Sequence, residues 1–219
     1  MKILVLAPHP DDEVLGCGGI MKKYSKRGDE VYLCVVTQGY SPDWSEEFLR
    51  NLRDGLDQAN RILGTKEKFF LGFPTAKLDM IPQKELNDAL FRLVETVQPD
   101  VIYAPSMSDL SRDHRCIFES LLVAVRPKPG MHTPQVLCYE VLSETDWGTP
   151  LHNFVPNVYE DITNEFGDKI EAMKAYKSEL KDFPHPRSVE AIEALAKKRG
   201  SEVGTYAAEA FVLIRSFQK

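Results

Sequence analysis

After Lys2, the opening segment Lys2–Ala7 (KILVLA) is apolar at every position, and the pattern changes directly beyond it: over Val14–Lys26 the apolar residues recur every three to four positions, with Gly28 as a stop. The first segment predicts a strand buried on both faces, the second a helix with one buried face. The same pair of patterns repeats along the chain. Strands are predicted at Val31–Thr37 (VYLCVVT), Lys68–Leu71, Val101–Ala104, Gln135–Glu140 and Phe211–Ile214. Helices are predicted at Glu46–Leu63, closed by Gly64, at Glu85–Val97, ended by Pro99, and at Arg115–Val125, Ile170–Leu180 and Val189–Arg199. Doubly apolar strands alternating with helices predict an α/β fold with a mainly parallel sheet covered by helices on both faces.

Composition narrows the function classes. At 219 residues the chain suits one domain, spanning 1–219, with a core that needs no disulfide or structural metal. The 33 acidic and 27 basic residues give a formal charge of −6 and are spread along the sequence, which argues against a nucleic-acid partner, since phosphate contacts need a concentrated basic face. The apolar run Ile3–Ala7 is too short for a signal peptide, and no window approaches the ~18 apolar residues of a membrane span, so a soluble, cytoplasmic protein is expected. Cys17, Cys34, Cys116 and Cys138 form no Cys-x-x-Cys pair and are expected as reduced thiols rather than disulfides or a zinc knuckle.

Sheets of this kind bind ligands beyond the carboxyl ends of their strands. Three polar clusters fall there: His9-Pro10-Asp11-Asp12-Glu13, Thr37-Gln38-Gly39 and the stretch Ser106–His114. His9 and Asp12 lie three apart in a strand-to-helix turn stiffened by Pro10, so their side chains can meet at one point, and an imidazole with a carboxylate suits zinc and related divalent ions. His114, beyond another predicted strand, is the best third ligand, which makes a His-Asp-His site. Asp11 then stays close without being a ligand, where a general base for a metal-bound water belongs. Helix capping alone would need one oxygen and no histidine before a proline; for Glu13 taken singly, charge at a helix start is the simpler reading. Gly16, Gly18 and Gly19 do not supply Gly-x-Gly-x-x-Gly and are expected to allow close helix packing. Arg53 is either a solvated helix arginine or an anchor for substrate. His132 and His152 have no comparable context.

The stretch APHPDDEVLGCGG resembles the signature of the LmbE-like, or PIG-L, zinc-dependent deacetylases. Further along, Thr37-Gln38-Gly39, Arg53 with Leu63-Gly64, PDVIYAPSMSDLSRDHR and the ending Tyr206–Phe211 resemble later motifs of that family in the same order. The resemblance implies a Rossmann-like fold and hydrolysis of an N-acetyl group on a glucosamine-type sugar, with His9, Asp12 and His114 as Zn2+ ligands and Asp11 as base. It also implies that Asp113 orients an active-site imidazole and that Arg53 binds substrate. One position departs: many relatives have His-x-Asp-His where this chain has Ser111-Arg112-Asp113-His114, and a serine hydroxyl is no acid near neutral pH. His185, in the rigid FPHPRS loop, is the expected replacement; reaching from a neighbouring subunit it would require a homo-oligomer. Ser111 and Arg187 join Arg53 as expected substrate contacts, and Lys181, His185 and Arg187 together favour a nucleotide-linked sugar, whose diphosphate they would meet. Two other classes compete: a degenerate relative that binds metal and sugar without turnover, and a magnesium-dependent phosphoryl-transfer enzyme, which would prefer oxygen-only ligands.

Overall fold

The computed structural model describes residues 1–130, 132–148 and 153–217; His152 lies outside them. The opening phrase forms β1 (Lys2–Ala7) and α1 (Asp12–Lys26), followed by β2 (Glu30–Gln38), α2 (Glu46–Leu63), β3 (Glu67–Pro74), α3 (Gln83–Val97), β4 (Val101–Ala104) and α4 (Arg112–Ala124). Then come β5 (Gln135–Tyr139), β6 (Val158–Asp161), α5 (Phe166–Ala175), α6 (Val189–Val203) and β7 (Ala208–Arg215). The strands make one sheet in the order β3-β2-β1-β4-β5-β7-β6. Pairing is parallel from β3 through β5, while β7 runs antiparallel to both β5 and β6.

The unbroken apolar run of β1 is explained by its central position. Ile3, Val5 and Ala7 pack into the core shared with α1, α2, α5 and α6, whereas Leu4 and Leu6 pack into the core under α3 and α4. Strand order reverses between β1 and β4, where chain connections leave in opposite directions and open a crevice at the carboxyl ends. The His9–Glu13 turn follows β1 and the Ser106–His114 stretch follows β4, so both clusters open onto that crevice.

Two expectations shift. The helix predicted over Ile170–Leu180 ends at Ala175, where the chain turns out and the buried Tyr176 ring directs its hydroxyl to Glu13 Oε1 at 2.5 Å. Val158–Asp161 is a strand that no periodicity announces: at four residues, two of them acidic, it is too short for a pattern and is held at the sheet edge by β7. No helix among the described residues is long and apolar enough to cross a membrane. All four cysteines are free.

The glycines of α1 serve packing. A Cβ on Gly16 would come within 2.2 Å of the Tyr139 ring, and one on Gly19 within 2.7 Å of Ile162. Tyr139 cannot yield easily, because it is fully buried and its hydroxyl donates to the Leu6 carbonyl at 2.7 Å. Gly16→Ala is therefore expected to lower stability by about 1–2 kcal/mol, the overpacking cost exceeding the ~1 kcal/mol that alanine gains in a helix. A urea midpoint equal to that of the native chain would refute this account of α1.

Candidate active site

Asp11 is the N-cap of α1 and has a left-handed backbone, φ 106° and ψ −29°, a conformation costly for a residue other than glycine and often found at functional sites. Its side chain makes no capping bond to the helix. The first turn is held instead by neighbours: the Asp11 N–H donates to Glu13 Oε2 at 3.0 Å and the His9 N–H to Asp12 Oδ2 at 2.9 Å. Glu13 in turn accepts from Tyr176 and from Asn60 Nδ2 at 3.2 Å. Glu13 thus braces the turn from below, which leaves the Asp11 carboxylate to face the cavity.

His9, Asp12 and His114 each present one donor atom, all within 4.8 Å of one another. Asp12 Oδ2 lies 3.3 Å from His9 Nδ1 and 3.2 Å from His114 Nε2. The outer nitrogen of each ring is tied to a carboxylate. His9 Nε2 is 3.0 Å from Asp113 Oδ2, and His114 Nδ1 is 2.8 Å from Asp109 Oδ2. These carboxylates are themselves fixed. Asp113 accepts from the N–H groups of Ala76 and Leu78 at 2.7 and 3.1 Å, and Asp109 Oδ1 accepts from the Thr145 hydroxyl at 2.6 Å. An outer N–H donated to a carboxylate leaves the inner nitrogen with its lone pair, the arrangement that metal-ligating imidazoles adopt.

Two atoms decide whether a cation fits. Asp12 Oδ1 and His114 Nε2 are buried and make no hydrogen bond among the described residues. Polar atoms in that state cost roughly 1–3 kcal/mol each unless something else satisfies them. An oxygen and two nitrogens converging without partners form a donor set suited to a divalent transition metal.

The electrostatics agree. Burial would raise Asp12, but His114 and His9 outweigh it and hold its carboxyl well below the usual range. Burial would depress both imidazoles, yet the bonds to Asp113 and Asp12 lift His9 to about 9, while the Asp12 charge and the Asp109 bond lift His114 to about 10. The point between them favours positive charge. Burial pushes Asp11 well above the usual carboxylate range against the pull of Arg187, and pushes Glu13 up to about 7 against its hydrogen bonds.

These groups lie at one end of a cavity of about 360 Å³. Asp11, Ser111, Asp113, Glu144, Glu179 and Arg187 line it, and Trp44, Phe48, Leu49 and Leu52 form an apolar wall from the start of α2. Arg187 is the polar centre: Nη1 donates to Asp11 Oδ2 at 2.9 Å and to Glu179 Oε2 at 3.1 Å, and Nε donates to Ser143 Oγ at 3.0 Å.

Most of the residues singled out from sequence meet here, and two do not. His185 is exposed and does not line the cavity; its Nδ1 accepts the Arg187 N–H at 3.0 Å, so it shapes the turn that carries Arg187 inward. The expectation that His185 replaces the missing imidazole is corrected accordingly. Arg53 is also exposed, in a neighbouring recess that shares Pro10, Gly39, Leu49 and Leu52 with the cavity. Lys181, expected beside Arg187, is exposed and donates to the Ser178 carbonyl. Sequence reasoning missed Asp109, Glu144, Glu179, Asn60 and Tyr176. Asp109 had a readable signal, an acid five residues before a ligand histidine beyond the same strand; the others are single polar residues in unpatterned segments.

Comparison with known proteins supplies the family. Residues 4–125, more than half of the chain, match the model of PIG-L, GlcNAc-PI de-N-acetylase. The chain belongs to the PIG-L family. Among its relatives, the Escherichia coli protein described as uncharacterized deacetylase YaiS is 27% identical over 185 residues, covering 80% of this chain and 90% of YaiS. A probable N-acetyl-α-D-glucosaminyl L-malate deacetylase 2 of Bacillus anthracis is 24% identical over 190 residues, 81% of each chain. Of solved PIG-L-like structures, the conserved protein TT1542 of Thermus thermophilus superposes with a TM-score of 0.79 at 27% identity, covering 99% of this chain and 96% of TT1542.

Proposed function

We propose that the protein is a zinc-dependent hydrolase that removes the acetyl group from an N-acetyl amino sugar. The observation that carries the proposal is the pair of unpartnered buried atoms, Asp12 Oδ1 and His114 Nε2, beside an Asp11 carboxylate that is free of capping duty. His9, Asp12 and His114 would hold the metal. Bound there, zinc supplies Lewis-acid polarisation of a carbonyl and a water whose pKa falls to roughly 7.

The chain's own residues do the rest. Asp11, held by Arg187, takes a proton from the attacking water; burial raises its proton affinity toward the neutral range in which a general base works best. Asp113 and Asp109 keep the two imidazoles in orientation and tautomer. The wall of Trp44 and Phe48 supports the apolar face of a sugar ring, and the cavity volume suits a small saccharide.

An uncharged amino sugar is the first choice of substrate. Arg187, on which a diphosphate contact depended, is engaged by Asp11 and Glu179. A nucleotide-linked sugar would have to use Arg112 in the cavity and Arg53 in the recess, neither of which has an ionic partner among the described residues.

The test is amine release by zinc-loaded protein from N-acetylglucosamine, diacetylchitobiose, N-acetylglucosaminyl malate and a nucleotide-linked N-acetylglucosamine. The expected result is one zinc per chain by metal analysis and turnover of at least one uncharged member, both lost after chelation. Zinc and sugar binding without turnover of any member would instead favour a binding protein, and magnesium alone at the site would remove the deacetylase reading.

A further inference from the structure

Resting on the deacetylase reading, we propose that Glu144 is the general acid of the site, the carboxyl that gives a proton to the departing nitrogen while Asp11 takes one from water. Amide hydrolysis needs both proton movements, because an amine leaving as its anion is far too basic to depart at neutral pH. Arg187 keeps its protons, and the Ser111 hydroxyl is not appreciably acidic. The outer nitrogens of His9 and His114 are tied to Asp113 and Asp109, and their inner nitrogens face Asp12. Asp113 is taken up by His9 and two backbone N–H groups, and Glu179 by Arg187.

Glu144 differs from all of these. It lines the cavity, its Oε2 accepts the Ser111 N–H at 3.0 Å, and its Oε1 makes no hydrogen bond among the described residues, the Arg187 Nη2 lying 3.8 Å away. The backbone holds it firmly: its N–H donates to the Val141 carbonyl at 3.1 Å and its carbonyl accepts from Leu110 N–H at 3.1 Å. One carboxylate oxygen is therefore pinned beside Ser111, the position where the chain has no imidazole, and the other is open. Burial raises the carboxyl's pKa and Asp12 adds to the rise, with His114, Arg187 and the Ser111 N–H opposing it.

The proton balance closes. As the C–N bond breaks, its electron pair goes to nitrogen, which takes the proton from Glu144 Oε1. Acetate leaves with the oxygen of the attacking water, Asp11 retains that water's proton, and exchange of one proton with solvent from Asp11 and to Glu144 restores the start.

Two substrates separate an acid from a clamp that merely holds the 110–111 segment: the panel member turned over fastest, and its analogue with an O-acetyl ester in place of the acetamide. An ester leaves without prior protonation far more readily than an amide. Glu144→Gln, whose side-chain carbonyl can still accept the Ser111 N–H, is expected to lower kcat on the amide by about 100-fold or more with KM within about threefold, and kcat on the ester by less than about tenfold. Asp11→Asn should depress both. Equal losses on the two substrates, a fall in zinc content, or no loss at all would overturn the role of Glu144 while leaving the deacetylase reading in place. If the native, zinc-loaded chain turns over no amide, that reading fails first and the assignment falls with it.

Discussion

Asp11→Asn is expected to lower the rate of amide hydrolysis by about 10²–10⁴-fold, the range typical of a lost general base, while zinc content stays at one per chain. The substitution is unusually clean here. Asparagine is nearly isosteric, tolerates the left-handed backbone that Asp11 occupies at φ 106°, and still offers a carbonyl oxygen to Arg187 Nη1. The metal-ligand cluster is His9, Asp12 and His114, so the donor set is untouched. What disappears is the ability to accept a proton. Steady-state amine release with metal analysis of the same preparation checks it, and a rate within tenfold of the native chain would remove Asp11 from the mechanism. Asp11→Ala is a poorer probe, since it leaves Arg187 short of a partner and puts a residue ill-suited to that backbone in the turn.

The second large effect concerns a residue that touches no substrate. Asp109→Asn is expected to weaken zinc binding by about 10–100-fold, as loss of a carboxylate behind a ligating histidine usually does. Asp109 Oδ1 is fixed by the Thr145 hydroxyl, and Oδ2 meets His114 Nδ1. An asparagine held in the same way would keep its carbonyl toward Thr145 and turn its amide N–H toward Nδ1. The imidazole would then accept at Nδ1 and carry its proton on Nε2, the atom that the metal needs. The negative charge that supports the ring would be lost as well. Competition with a chelator of known zinc affinity measures the change. A shift of less than threefold would mean that His114 is oriented by packing alone.

The His-Pro-Asp-Asp-Glu segment was legible because its geometry is local. A strand that ends at Ala7 and a helix that begins at Asp12 leave four residues between them, and three-residue spacing in so short a turn brings His9 and Asp12 together whatever the rest of the chain does. His114 was legible for a related reason: it opens a helix after a strand, and parallel sheets bring such helix starts to one edge. Layering was readable from β1 and β4, whose unbroken apolar runs require cover on both faces.

His185 shows where that reasoning stops. It and Arg187 stand two apart in one loop, with equal claims from composition, yet the turn buries one side chain against Asp11 and leaves the other in solvent. Glu144, Glu179, Asn60 and Tyr176 come from four separate segments and enter the site through the paths of loops and the packing of α2 and α5. A single acid or amide in an irregular stretch has no period or neighbouring motif to mark it. The sequence by itself determined the α/β layering, the cluster after β1 and its third partner after β4, because these depend on repeating patterns and on spacing within one turn. Only the tertiary structure decided which distant side chains surround Asp11, because that depends on how buried charges find partners once the helices have packed.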